Sequence, residues 1–235
     1  MFDAATRDDV LRLEHAGARW LSTGWDGGHR DADCAFNVTV PEGWDPDDTA
    51  AYVDGRLSDA GFERSPSAPV LLTGVSQRHA RVARCGPVEV AATVGLSNPA
   101  ALPMEPADGT LPREADAPPG TVNVFVGTTR ALDDAALANL VALTAEAKAA
   151  TLLDLAGFPG TTTDAVVAAC DPGGEPSAFS GSATDVGAAA RACVRDAVRA
   201  SFDSRYGDDD PPESVEDARH GVRTDVQADV SAPSE

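Results

Sequence analysis

The stretch Gly120-Thr-Val-Asn-Val-Phe-Val126 constrains the fold more than any other, because it leads straight into a long helical run. Residues 121–129 alternate as a half-buried strand does. Asp133 then stands at the N-cap of an apolar helical run through Leu155, closed by Gly157 and Pro159. A strand feeding a long Ala/Leu-rich helix needs a sheet for the helix to cover, which is the α/β solution. The rest of the chain fits that frame. Ala18–Ser22 and Cys34–Val40 read as two strands around the wide turn Thr23-Gly-Trp-Asp-Gly-Gly-His29. Val70–Thr73 and Val88–Val94 read as buried strands, and Pro46–Gly61 as a helix with Ala50, Val53 and Leu57 in register. Asp164–Cys170 reads as a strand cut off by Asp171-Pro-Gly-Gly174, and Thr184 opens a last helix through Phe202. Residues 1–15 are polar and read as an entry helix or turn. Residues 99–120 carry six prolines and read as a loop. Strands and helices mix without strict alternation, so the expectation is one α/β domain over residues 1–207, a mixed β-sheet covered by helices. An acidic tail, 208–235, is expected to be disordered and dispensable.

Composition narrows the function classes. The formal net charge is −20, with 38 acidic against 18 basic residues, and Lys148 is the only lysine. Such a surface repels nucleic acid and anionic membranes, so neither is expected as a partner. Excess Asp with almost no Lys also points to adaptation to high salt, where self-repulsion is screened. No basic-plus-apolar leader and no apolar run near 20 residues stand out, so a soluble cytoplasmic protein without membrane insertion is expected. Cys34, Cys85, Cys170 and Cys193 are widely spaced with no CxxC, as expected of reduced, buried thiols.

Polar groups gather where apolar elements end. Thr161-Thr-Thr-Asp164 puts three hydroxyls and a carboxylate within one turn of chain; a Thr could attack an acyl carbon, Asp164 could position a water, or the cluster could simply cap an element. Thr144 and Lys148 share a helix face, whereas Glu146 lies about 200° around from Thr144. Asn37, Asn98 and Asn123 sit in or beside strands and could hold amides or an oxyanion. Asp26, His29, Asp31 and Asp33 crowd one loop without a metal-ligand spacing, and His79 lies among Arg78, Arg81 and Arg84.

Taken together, several blocks carry a family likeness. They are Leu21-Ser, Asp26-Gly-Gly28, Asn37, Gly95-Leu-Ser-Asn-Pro99, Gly120-Thr-Val-Asn123, Thr144-Ala-Glu-Ala-Lys148, Thr161-Thr-Thr-Asp-Ala165 and Gly181-Ser-Ala-Thr-Asp-Val-Gly187. In this order the chain, from about residue 10 to 202, resembles the adenosylcobinamide amidohydrolase (CbiZ-like) family of archaeal cobamide salvage. It departs from the family pattern at Thr162, where the family has Gly, and at Asp26, where it has Asn. The resemblance implies hydrolysis of the aminopropanol amide of adenosylcobinamide to give adenosylcobyric acid. The alternative is a corrinoid-binding or delivery protein without the chemistry. On this reading the candidate catalytic groups are Thr163, Asp164, Glu146 and Lys148. The candidate substrate-binding groups are Asn37, Ser97, Asn98, Asn123, Thr161, Gly181 and Thr184. No metal ligands are assigned, the corrinoid is the substrate rather than a cofactor, and metal dependence and oligomeric state are left open.

Overall fold

A computed structural model describes residues 2–63, 65–111, 121–218 and 220–233. It is an α/β domain with one mixed sheet of eight strands and three helices. The strands run β1 (Asp3–Arg7), β2 (Val10–Ser22), β3 (Gly28–Thr39), β4 (Val70–Thr73), β5 (Arg81–Cys85), β6 (Val88–Val94), β7 (Ala100–Ala101), β8 (Val122–Leu132), β9 (Ala165–Ser177) and β10 (Val222–Arg223). The helices are α1 (Thr49–Asp59), α2 (Asp134–Ala156) and α3 (Asp185–Tyr206). Sheet order is β4-β3-β2-β9-β8-β6-β5, with β1 paired on β2, while β7 and β10 form a separate two-stranded piece. The pair β8–β9 is parallel with α2 as its crossover, and β6–β8 is antiparallel, so the sheet is mixed as expected.

The N-terminal expectation fails. Asp3 to Glu14 form a hairpin where a helix or turn was expected, its turn built by Asp8 and Asp9 with φ of +45° and +58°. Two consecutive left-handed residues match the right-handed strand twist, and Asp tolerates that conformation. Strand β2 then bulges between Glu14 and Ala18, where Gly17 has φ +66° and its N–H is taken by Asp33 at 2.7 Å. Before the bulge β2 pairs with β1 on the side where, after it, β2 pairs with β9. The bulge therefore turns the strand and coils the sheet. The other miss is β9: Asp171–Gly174 does not end the strand but bulges out of it. Pairing with β8 passes from Thr128–Cys170 to Arg130–Glu175.

The sheet and its helices enclose two apolar cores. One lies between the sheet and α2 and α3, around Val90, Val124, Leu137, Leu140, Val166 and Val194. The other lies inside the coil, around Trp20, Phe36, Phe125 and Val167, with Leu57 of α1. Half of the apolar stretch of α2 is buried, as in a core helix, although by length and composition alone the helix could cross a membrane. Beyond Gly207, the described residues hold only the two-residue strand β10, laid parallel on β7; residues 112–120 of the proline-rich segment lie outside the described part.

Candidate functional site

Three strands deliver loops to one edge. Strand β6 ends at Val94 opposite the start of β8 at Val122, and Asn123 of β8 pairs with Ala165 at the start of β9. The segments Gly95–Pro99, Thr121 and Gly160–Asp164 therefore meet at a single end of the sheet. Helix α2 runs back over the sheet, bringing Lys148, in its C-terminal half, to the same end. Its ammonium forms an ion pair with Asp164 and lies 3.5 Å from the Pro159 carbonyl. The two side chains are only 9% and 13% exposed, so this pair is desolvated, unlike the chain's surface pairs.

Asp164 is the hub. It accepts from Lys148, from the Thr161 hydroxyl, from the Thr161 N–H at 3.1 Å and from the Val122 N–H at 2.9 Å. Four donors match the roughly four lone-pair sites of a carboxylate. Gly160 closes the cluster: a Cβ there would stand 2.3 Å from Asp164 Oδ2 and 2.6 Å from Lys148 Nζ. The glycine is thus what lets the chain run directly over the pair. The loop facing it is pinned from several sides. Asn98 donates its side-chain amide to the Thr162 hydroxyl, and its carbonyl accepts from the Thr162 N–H at 3.2 Å. Ala100 donates to the Gly160 carbonyl at 2.9 Å, and the Leu96 N–H donates to the Tyr206 hydroxyl at 2.8 Å. Burial pushes the Tyr206 phenol above its ordinary range, so it stays a neutral anchor.

The expected site residues separate into three groups. Lys148, Asp164, Thr161 and Asn98 come together, with Thr163 half-buried in the same turn and the Ser97 side chain exposed on the adjoining loop. The Thr161 hydroxyl donates to Asp164. Asn37 and Asn123 lie in a buried network inside the coil. Asn123 donates to Asn37 at 2.8 Å and to the Leu72 carbonyl at 3.0 Å, and accepts from Thr121; Asn37 donates to Thr93 and Gln77. Every hydrogen-bonding group on these two amides is engaged within the protein, so they tie the coil shut. Glu146, Gly181 and Thr184 do not join the Lys148 cluster. Glu146 points to the outer side of α2, where it pairs with Arg191, and all three line a separate open cleft of about 530 Å³. The 100° step between successive helix residues explains the parting of Glu146 from Lys148. Thr184 caps α3, accepting from the Gly187 N–H at 3.0 Å.

Sequence reasoning missed the role of Tyr206. Of Gly157 and Pro159, expected to stop α2, Gly157 is the C-cap, with φ +75°, and Gly160 makes the close backbone approach that its lack of a Cβ permits. The acidic loop around His29 is tied up internally: Asp26 pairs with Arg30, Asp33 holds Gly17, and His29 faces Asp134. Among the described residues no three His, Cys, Asp or Glu side chains converge as a metal site would require. His79 is buried between Arg78 and Ser204. Burial, then the nearby Arg78 and Arg205 guanidinium groups, lower its pKa. Cys170 and Cys193 are buried, and burial raises Cys193 to about 11; Cys34 is half-buried and Cys85 exposed.

The family model described as adenosylcobinamide amidohydrolase matches residues 3–210. A protein of Halobacterium salinarum named adenosylcobinamide amidohydrolase is 67% identical over 233 residues, covering 99% of this chain and 100% of that protein. A Methanosarcina mazei protein of the same name is 27% identical over 195 residues, 79% of this chain and 90% of its own.

Proposed function

The chain belongs to the adenosylcobinamide amidohydrolase family, and from this we infer that it is an adenosylcobinamide amidohydrolase of cobamide salvage. It hydrolyses the amide between a propionyl arm of the corrin and aminopropanol, releasing adenosylcobyric acid and the amine. The observation that carries the choice of site is the desolvated Thr161–Asp164–Lys148 cluster under Gly160. A nucleophile in hydrogen-bond contact with a base, itself oriented by a third group, is the arrangement covalent acyl transfer needs.

In the proposed step the Thr161 hydroxyl attacks the amide carbon and its proton passes along the existing hydrogen bond to Asp164. Lys148 holds Asp164 in place, and its remaining N–H is directed at the developing oxyanion, where a preorganised charge is most effective. The proton then moves to the leaving nitrogen, the C–N bond breaks, and aminopropanol departs. Water hydrolyses the resulting ester and restores Thr161, so one water is consumed per amide cleaved. Thr163, Ser97 and Asn98 border the reacting group, Asn98 as the tether of the Thr161 turn. The corrinoid is the substrate and the step calls on no separate cofactor; a cytoplasmic place of action belongs to the same proposal.

Incubation with adenosylcobinamide in high salt, with products read by mass spectrometry, tests this. Thr161→Ala and Asp164→Asn are expected to lower kcat by at least about 10²-fold, while Glu146→Gln keeps it. Undiminished turnover by both of the first variants would displace the site. Tight binding by the wild type without cleavage would favour the corrinoid-delivery alternative.

A further inference from the structure

We propose that the groove beside Pro159 receives an apolar face of the corrin ring; this rests on the amidohydrolase reading and specifies where its substrate lies. The groove, about 420 Å³, runs between the Leu102–Met104 segment, the C-terminal end of α2 and the tail residues Ser214, Val215, Glu216 and Arg223, with Leu153, Phe158 and Pro159 also among its walls. Leu102, Met104 and Leu153 are 59%, 82% and 52% exposed. On a chain of net charge −20 that is an expensive thing to show to water, and large apolar side chains converging on one concavity mark a binding surface. A surface adapted to strong salt makes the contrast sharper, because salt strengthens apolar association.

Position favours the substrate over other occupants. Pro159 lines the groove, its carbonyl lies 3.5 Å from Lys148 Nζ, and Gly160-Thr161 comes directly after it in the chain. A rigid, methyl-studded macrocycle lying against Leu102, Met104 and Leu153 would extend one of its rim arms over Thr161. A volume of about 420 Å³ is too small to enclose a corrinoid, so the groove takes one face and leaves the rest open. Amide arms at the rim would meet the polar wall that Glu216 and Arg223 provide, themselves ion-paired at 3.4 Å. The tail is therefore part of the substrate site. Its placement is fixed by the His220, Val222 and Thr224 N–H groups, which donate to the carbonyls of Ser97, Pro99 and Ala101 at 2.9–3.2 Å.

The test uses the full chain in high salt, with Leu102→Asp, Met104→Asp and, as a control elsewhere, Val230→Asp; all three positions are exposed, so folding is preserved. Each groove variant is expected to raise KM for adenosylcobinamide about tenfold, the weight of one side chain's apolar contact, with kcat nearly unchanged. The control should match the wild type. Equilibrium dialysis with adenosylcobinamide reads the same effect as affinity and applies even if the wild type cleaves nothing, which separates failure of this proposal from failure of the amidohydrolase reading. Unchanged KM and unchanged affinity in both groove variants would overturn it. So would light scattering showing a wild-type dimer that Leu102→Asp dissociates without loss of affinity, since a second copy would then be the occupant.

Discussion

Replacing Gly160 by Ala adds one methyl group and tests the site without removing any of its polar atoms. That methyl carbon would stand 2.3 Å from Asp164 Oδ2 and 2.6 Å from Lys148 Nζ, both below any real contact distance. The backbone cannot simply retreat, because the Gly160 carbonyl accepts from Ala100 at 2.9 Å and Pro99 bridges to Thr161. The pair must open instead. Both partners are nearly buried, and breaking such a pair costs about 3–5 kcal/mol; partial re-pairing through a shifted Lys148 would recover some of it. Taking about 3 kcal/mol at 2–4 °C per kcal/mol for a domain of this size, Tm should fall by roughly 6–12 °C. Turnover should fall by at least about 10²-fold, because the Thr161–Asp164 hydrogen bond is disturbed with the pair. Gly157→Ala supplies the comparison. It has φ +75° and no atom within 4 Å of a Cβ, so it meets conformational strain alone, about 1 kcal/mol, and should cost a few degrees while leaving kcat intact. Thermal melts by circular dichroism and the mass-spectrometric assay, both in high salt, read the two effects. If Gly160→Ala melted within the range of Gly157→Ala and kept wild-type kcat, the Lys148–Asp164 pair would not be the centre of the site.

Three further outcomes are expected. With a net charge of −20, the fold should lose stability as salt is lowered, read as a falling Tm over a salt series; a flat series would reject screening as a stabilising factor. His79 has its pKa lowered by burial and by its arginine neighbours; the unfolded chain therefore binds that proton first, and His79's contribution to stability is full above about pH 6.5 and is lost as pH falls through its folded pKa. His79→Gln should flatten that acid-side slope, and an identical slope in the variant would count against it. Truncation after Gly207 should leave Tm nearly unchanged, since Val215 is the one apolar residue buried among the described residues of the tail, yet raise KM through loss of a groove wall; unchanged KM would return the tail to the dispensable role expected from its composition.

What could be read in the chain beforehand depended on how local the signal was. Val70–Thr73 and Val88–Val94 were legible to the residue, as was Asp133 at the head of α2, because a short apolar run and a cap are encoded where they occur. The hairpin at Asp8-Asp9 was not, since Asp-Asp is a far weaker turn signal than Asn-Gly, and its polar edge strand β1 faces water. The coil of the sheet could not be inferred at all. It depends on a bulge and on the buried hydrogen bond that Asn123 donates to Asn37, residues 86 apart, and so two amides that read as ligand-directed are joined to each other inside the protein. Lys148 and Asp164 could each be singled out in the sequence, but their pairing needs the crossover of α2 to carry the helix back over the β9 start.

The crossover also accounts for the one lysine. A chain that uses arginine at every other basic position has no general need for an ammonium, so the need must be local. Between α2 and the Gly160 turn the available space is so tight that one added carbon would stand 2.6 Å from Lys148 Nζ. A guanidinium is a planar fork with a wider head than an ammonium, so arginine is not a like-for-like replacement beside a backbone this close. A single nitrogen can direct one N–H to Asp164, one toward the Pro159 carbonyl, and keep a third for a substrate oxygen. Composition shaped by salt thus gives way where a compact cation sits under Gly160, and Lys148 stands out in the sequence for the same closeness that calls for a glycine over it in the fold.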